Sequence, residues 1–195
     1  MGRGLKAAFF TLPIALAALL VALMIEGKIE ETTSERQISK LTGFSLIDQN
    51  GKPFTDADLK GKVNVVNFMF TTCRGICPIL SKEMKALSSS FSRYGTFSLL
   101  SISVDPENDT PEQIRAWRKK QGVNNERWSF ITGQRKDIRQ LLEEQFLVGL
   151  PDDPNIHSDR FMLLDRENVI QGSYQLSRPE TLESLKRDIM ELLKN

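Results

Sequence analysis

The sequence contains few side chains that can bind a soft metal ion or carry redox chemistry. Among its 195 residues there are two cysteines and one histidine. A single cysteine pair excludes a four-cysteine zinc site and the disulfide framework on which small secreted domains depend. A domain of about 150 residues can bury a sufficient core without such links. The arrangement of these three side chains therefore carries most of the functional information.

The sequence also lacks a block of like charge, an internal repeat and a low-complexity tract. Its formal net charge is +1. Both basic residues of the first 25, Arg3 and Lys6, lie in a stretch without an acidic residue, and the rest of the chain is close to neutral. A near-neutral domain without a basic block argues against nucleic acid as a partner.

Charged residues are absent from one long stretch near the N-terminus, Ala7–Ile25. A helix over this stretch would rise about 28 Å, which is close to the thickness of a hydrocarbon core. The preceding segment, Gly2–Lys6, is basic and is predicted to stay in the cytoplasm. Residues 1–25 are therefore predicted to be a single-pass transmembrane helix in a bacterial inner membrane, with the C-terminal domain outside the cytoplasm. A cleaved signal peptide is the alternative, but Leu23–Gly27 lacks the pattern of two small residues separated by one other that cleavage needs.

The rest of the chain is predicted to be a polar tether over residues 26–40 and one α/β domain over residues 41–195. The β-branched and aromatic run Val63–Phe70 predicts a central strand covered on both faces. Before this strand we expect an N-terminal hairpin (Phe44–Asp48 with Lys52–Phe54), and after it a helix with Leu80, Met84, Leu87 and Phe91 on one face. A strand (Phe97–Val104), a helix opened by Thr110 and Pro111 with Ile114 and Trp117 pointing inward, and a strand (Trp128–Thr132) are expected next. The remaining elements are a helix (Asp137–Phe146), a hairpin (Phe161–Leu164 with Val169–Gly172) and a final helix marked by Leu182, Leu185, Ile189 and Leu192. This order predicts a thioredoxin-like mixed sheet flanked by helices.

Cys73 and Cys77 follow the central strand, at the end of the sheet where open α/β folds place their sites. Pro78 suits the first turn of a helix, so Cys77 is predicted at or beside the N-cap, where unpaired N–H groups lower the pKa of a thiol. The three intervening residues allow either a disulfide bond or a shared soft metal ion. A purely structural disulfide is the alternative, but so short a loop would stabilise the fold by only about 2 kcal/mol. We therefore favour a functional pair.

His157 is the only histidine and lies in a polar, proline-containing loop, Pro151–Ser158. Taken alone, it would be interpreted as an exposed side chain without a special role. In a thioredoxin-like fold, however, the loop before the last hairpin faces the N-terminus of the first helix, which would carry the imidazole toward the two sulfurs. Two thiolates suit Cu(I), and an imidazole allows Cu(II) as well. Met69, Met84 and Met162 fit apolar faces and are predicted to pack in the core, not to bind copper.

Four stretches carry a combination of motifs that is more specific than any one of them. They are Phe44–Phe68, Thr72–Pro78 (TCRGICP), Ser103–Glu112 (SVDPENDTPE) and the segment from His157-Ser158 to Leu164-Asp165. In these stretches the chain resembles the Sco/SenC family of copper proteins. The resemblance implies a thioredoxin fold with Cys73, Cys77 and His157 as copper ligands. It also implies a role in assembling the dinuclear copper centre of cytochrome c oxidase.

The cysteine loop differs from that of many relatives, because Arg74-Gly75 follow Cys73 where those relatives have proline. The positive charge of Arg74 is predicted to lower the pKa of the thiols and to favour thiol chemistry. Asp105, in the matching Val-Asp-Pro stretch, has two interpretations. It either supports the site or accepts a hydrogen bond in the turn before Pro106.

Two functions use the same sulfurs. The first is a copper metallochaperone, which is not an enzyme, with the copper-centre subunit of cytochrome c oxidase as acceptor and copper-donor proteins as suppliers. The second is a thiol–disulfide reductase, an enzyme acting on cysteines of an exported copper protein. His157 favours the first, because disulfide exchange needs no third ligand. A peroxidase, suggested only by Thr72 before Cys73, and a structural zinc site are disfavoured.

Overall fold

The computed structural model of the protein describes residues 39–149 and 159–194. All of them belong to one compact unit, Arg36–Asn195. The predicted anchor (residues 1–25), residues 26–38 of the predicted tether and His157 lie outside the described residues. Within the described ranges, no helix is both long enough and apolar enough to cross a membrane.

In this part of the chain, seven strands form one mixed sheet. They are β1 (Ser45–Asp48), β2 (Pro53–Thr55), β3 (Val63–Met69), β4 (Phe97–Ser103), β5 (Trp128–Thr132), β6 (Arg160–Leu164) and β7 (Ile170–Gln175). Their order across the sheet is β2-β1-β5-β4-β3-β6-β7. The three central strands β3, β4 and β5 are parallel, and the outer strands pair antiparallel.

The α-helices of the described residues are α1 (Cys77–Ser90), α2 (Pro111–Lys120), α3 (Arg135–Gln140) and α4 (Thr181–Lys194). Helices α1 and α2 connect the parallel strands, and the β6–β7 hairpin and α4 complete the domain. A βαβ unit followed by a hairpin and a helix is the thioredoxin-like order. The predicted mixed sheet, its flanking helices and its N-terminal hairpin are confirmed.

Strand β3 is the centre of the sheet and leads directly to the cysteines. All seven of its side chains are buried. It pairs in parallel with β4 on one side and antiparallel with β6 on the other, so both of its edges are hydrogen-bonded. Its β-branched and aromatic residues suit a strand that is covered on both faces. This strand gives the site that follows it a rigid base.

The two long crossover helices pack as their apolar periodicity predicts. Leu80, Met84 and Leu87 on α1 are buried, and so are Ile114 and Trp117 on α2. The Thr110 hydroxyl caps α2 by accepting a hydrogen bond from the backbone N–H of Gln113 at 3.3 Å. The predicted N-cap is therefore confirmed. The three methionines assigned to the core (Met69, Met84 and Met162) are also buried.

The last two helical segments differ in detail from the prediction. The helix predicted over Asp137–Phe146 begins earlier, as α3, and continues as a π-helical turn over Leu141–Gln145. In α4, Leu193 is buried in addition to the predicted Leu185 and Ile189, while Leu182 and Leu192 are partly buried and pack against the core. The wider turn at the end of α3 places Phe146 in the core, edge-on to Phe68 with ring centroids 5.4 Å apart.

The boundary between tether and domain also differs from the prediction. Lys40 bridges to Val169 in antiparallel fashion, and the Ser39 carbonyl accepts a hydrogen bond from the Ile170 N–H at 2.8 Å. The Leu41 N–H donates to the Asn168 carbonyl at 2.9 Å. Ser39 and Lys40 are therefore part of the folded domain, because their backbone completes the edge of the last hairpin.

Candidate functional site

The two cysteines lie in the connection between β3 and α1. Strand β3 ends at Met69 and α1 begins at Cys77. The connection turns at once, because the Cys73 N–H donates to the Phe70 carbonyl at 3.2 Å. Both cysteines are thiols; Cys73 is partly exposed, whereas Cys77 is 1% exposed. The site therefore pairs one accessible sulfur with one buried sulfur.

The structure brings the two cysteines into direct contact. The backbone N–H of Cys77, the first residue of α1, donates to the Cys73 sulfur at 3.4 Å. The thiols are also hydrogen-bonded to each other. Ile76, at the N-cap, has no polar side chain that could accept from the first turn of the helix. The Cys73 sulfur accepts from one of these N–H groups instead, and this hydrogen bond holds Cys73 beside Cys77. The expected meeting of the two sulfurs is confirmed.

The predicted lowering of the Cys77 pKa is wrong, because the net shift is upward. Burial, the hydrogen bond with Cys73 and the nearby charges of Cys73 and Asp109 raise the pKa of the Cys77 thiol well above its usual range. A backbone hydrogen bond from Phe70 acts in the opposite direction but is weaker than the burial. Burying the Cys77 thiolate in the core therefore costs more than the hydrogen bond from Phe70 returns. Cys77 is therefore a neutral thiol at physiological pH when no metal is bound.

This raised pKa predicts an alkaline loss of stability. The native protein keeps the Cys77 proton above pH 9, where the unfolded chain releases it. The unfolded state then binds fewer protons, so the free energy of unfolding falls as pH rises, by about 1.4 kcal/mol per pH unit. The slope is only half of that value at pH 9, so urea unfolding of the reduced protein should show a loss of about 1.4 kcal/mol in total between pH 8 and 10, and Cys77→Ala should reduce this loss. Equal slopes in the two proteins would contradict a neutral buried thiol.

A buried carboxylate, Asp109, connects the cysteine loop to β4. Asp109 is 0% exposed. One carboxylate oxygen accepts from the Thr71 N–H at 3.0 Å and from the Thr71 hydroxyl at 2.5 Å. The other accepts from the Ser103 hydroxyl at 2.6 Å. Burial raises its pKa, and these hydrogen bonds oppose the shift. Asp109 thus fixes the loop two residues before Cys73.

Of the two interpretations of Asp105, the structure favours the one in which it accepts hydrogen bonds in a turn. Its carboxylate accepts from the Asn108 side-chain amide at 2.9 and 3.1 Å, and its backbone carbonyl accepts from the Asn108 and Asp109 N–H groups. The carboxylate that contacts the cysteine loop is Asp109, which the sequence analysis did not single out. The signal available in the sequence was its place in the same acidic stretch, four residues after Asp105.

Asp109 is predicted to be replaceable by asparagine but not by alanine. In Asp109→Asn, the side-chain amide would still accept from the Thr71 N–H and could donate to the Ser103 oxygen. Alanine would leave the three donors unsatisfied, at an expected cost of about 2–4 kcal/mol in the free energy of unfolding. Because the pKa of Asp109 is raised, ionising this carboxylate lowers the free energy of unfolding of the wild type as pH rises above about 4. The difference in the free energy of unfolding between Asp109→Asn and the wild type should therefore favour the variant more at pH 7 than at pH 4. Urea unfolding at both pH values tests this, and an Ala variant as stable as Asn would contradict it.

The third predicted site residue, His157, lies outside the described residues. The chain enters β6 at Arg160, and Phe161 on β6 pairs with Asn67 near the end of β3. The antiparallel register therefore places the start of β6 at the same edge of the sheet as the exit of β3 toward Cys73. Within the described ranges, no group of three or more His, Cys, Asp or Glu side chains is arranged to hold a metal ion.

These observations define the class of protein. The sheet has the thioredoxin-like order, and two contacting thiols lie between its central strand and the following helix. The protein is therefore a dithiol protein with a thioredoxin-like fold. A sequence model of the SCO1/SenC family matches residues 32–194. The chain therefore belongs to the SCO1/SenC family, as its motifs predicted.

Solved structures agree with this assignment. A SCO1/SenC family lipoprotein from Bacillus anthracis is 32% identical, with a TM-score of 0.71 over 81% of this chain and 97% of that one. ScoI from Bradyrhizobium japonicum, solved with copper bound, is 26% identical, with a TM-score of 0.63 over 78% of this chain and 99% of that one. BsSco, described as a member of the Sco family of cytochrome c oxidase assembly proteins, is 24% identical, with a TM-score of 0.71 over 83% and 97%. At that identity the likeness to BsSco shows the fold.

Proposed function

We propose that this protein is a metallochaperone that binds one copper ion through Cys73, Cys77 and His157 and delivers it to the dinuclear copper centre of cytochrome c oxidase. The observation that carries the proposal is the contact between the two cysteines, with the Cys77 N–H 3.4 Å from the Cys73 sulfur. Membership of a family with a copper-bound structure supports copper as the cargo.

The donor set fits copper. Two thiolates form a soft ligand pair, which favours Cu(I) over the harder divalent ions, and an imidazole extends the range to Cu(II). The ligands must be deprotonated, so binding releases the proton that burial keeps on Cys77. The bound copper ion would take the place of that proton. Its positive charge between the two sulfurs would stabilise a buried pair of negatively charged thiolates.

The position of β6 supports His157 as the third ligand. Arg160 begins β6 at the sheet edge that leads to Cys73, and His157 lies three residues before Arg160 in the sequence. Three residues span at most about 11 Å. This short connection supports His157 as the proposed third ligand.

The proposed location rests on the sequence alone, and the family supports the proposed partners. The apolar stretch Ala7–Ile25 anchors the chain in the bacterial inner membrane and leaves the copper-binding domain outside the cytoplasm. The acceptor is the copper-centre subunit of cytochrome c oxidase, and copper-donor proteins load the site. The resemblance of the motifs to Sco/SenC proteins supports this role.

A thiol–disulfide reductase is the second candidate function. The observation that favours it is the difference in exposure between Cys73 and Cys77. An accessible sulfur can attack the disulfide bond of a substrate protein, and a buried neighbour can then resolve the mixed disulfide. The raised pKa of Cys77 weighs against a fast second step, because the thiolate is the attacking species.

Copper titration of the fully reduced, full-length protein in mild detergent tests the proposal. We expect one copper ion per chain and, with Cu(II), a thiolate-to-metal charge-transfer band. Weak or absent binding, together with a reversible Cys73–Cys77 redox couple, would instead favour the reductase.

A further inference from the structure

A small cleft opens beside Cys73. Its volume is about 270 Å³, and it lies between the cysteine loop and the C-terminal end of α2. Its lining residues are Thr71, Thr72, Cys73, Arg74, Trp117, Lys120 and Gln121. Trp117 is 8% exposed and forms an apolar wall, while Thr72, Arg74 and Lys120 are exposed. The cleft therefore gives access from solvent to the more exposed of the two sulfurs.

The charges of this cleft all have one sign. Arg74 and Lys120 are its charged lining residues, and both are basic. In the residues that the structure describes, neither makes an ion pair, although four such pairs occur elsewhere. Lys85 adds a further positive charge at the edge, because its Nζ donates to the Gln121 carbonyl. This positive potential lies next to a sulfur in a domain whose overall charge is close to neutral.

Helix stability accounts for only part of this arrangement. Arg118, Lys119 and Lys120 end α2, where basic residues interact favourably with the helix dipole. Arg118 turns away from the cleft and donates to the carbonyls of Asn125 and Trp128. Arg74, however, comes from a different element, the connection between β3 and α1. The dipole of α2 does not explain why two elements place cations on one cleft.

We propose that this cleft docks an acidic segment of the protein that exchanges copper with Cys73. This inference rests on the proposed function. A cleft of this size accommodates one or two side chains of a partner, not a whole ligand. Carboxylates in that segment would meet Arg74 and Lys120, and an apolar neighbour would contact Trp117. Such complementary charges guide the encounter and fix the orientation in which two metal sites face each other.

Charge reversal at Lys120 tests the docking surface. The binding partner in the assay is the copper-free domain of the oxidase subunit that carries the dinuclear copper centre. We expect Lys120→Glu to lower the association rate of the two copper-free proteins by about tenfold at low salt, with a much smaller effect near 0.3 M salt. Arg74→Glu should act in the same direction. Lys60→Glu, an exposed residue before the opposite end of β3, is the matched control and should retain the wild-type rate.

The outcomes separate this inference from the proposed function. The association of copper-free proteins requires no copper binding, so a wild type that binds the partner but no copper would overturn only the copper proposal. Equal association rates for wild type, Lys120→Glu and Lys60→Glu would overturn the docking surface. A Lys120→Glu protein that keeps the wild-type association rate and loses only adsorption to anionic lipid vesicles would also overturn it.

Discussion

Replacing either Cys73 or Cys77 with serine is expected to abolish physiological copper binding, with a loss of affinity on the order of 1,000-fold or more. A serine hydroxyl is a hard donor that stays protonated at neutral pH, so it cannot replace a thiolate around Cu(I). Each variant retains one thiolate and the imidazole, which is one soft donor fewer than the proposed site needs. Titration against a competing Cu(I) chelator of known affinity measures the change.

The two serine variants have different structural consequences, which provides an internal control. Cys73 is partly exposed, whereas Cys77 is 1% exposed and packs in the core. Cys77→Ser buries a hydroxyl and should lower stability, while Cys73→Ser should leave the unfolding midpoint nearly unchanged. Loss of copper in Cys73→Ser therefore reports on the ligand and not on the fold. Wild-type affinity in that variant would exclude the proposed site.

Replacing His157 with alanine is expected to separate the two candidate functions. Copper affinity should fall by on the order of 100-fold, and the thiolate-to-Cu(II) band should be lost, because the imidazole is the proposed ligand that accommodates Cu(II). Disulfide exchange by Cys73 and Cys77 needs only the two sulfurs and should continue at the wild-type rate. Both properties are measured on one preparation, by chelator competition and by reduction of a model disulfide.

The controls for His157 test its role as a ligand directly. His157→Gln keeps a polar side chain of similar length without a metal-binding nitrogen, so it should behave like alanine. Copper affinity that survives in both variants would remove His157 from the ligand set. A parallel loss of disulfide exchange would show instead that the substitution disturbs the cysteine loop.

The order of the fold could be predicted because it depends on local patterns. The run Val63–Phe70 has the composition of a covered strand, and the apolar spacing on α1 leaves one face for the core. Pro78 and the two cysteines marked the start of α1 to within one residue. These signals are contained in short windows of sequence, so they do not require knowledge of what packs against them.

The properties of the site could be predicted less well because they depend on contacts between distant elements. The helix N-terminus at Cys77 was visible in the sequence, but the burial that dominates its pKa results from packing against the sheet. Likewise, Asp109 became a candidate only when β3 and β4 brought Thr71 and Ser103 to the same carboxylate. In α4 the periodicity identified Leu185 and Ile189, but the greater burial of Leu193 than of Leu192 depends on what packs against the end of the helix.

The described residues before and after the segment that contains His157 both contact the strand that leads to the cysteines. Phe146, before it, packs on Phe68 of β3, and β6, after it, pairs with β3. A ligand on a segment fixed at both ends has an effective concentration in the millimolar range or above at the place it can reach. In the proposed copper site, micromolar concentrations of free imidazole or histidine would therefore not displace His157, whereas a docked acceptor that presents its own ligands at a similar effective concentration could compete.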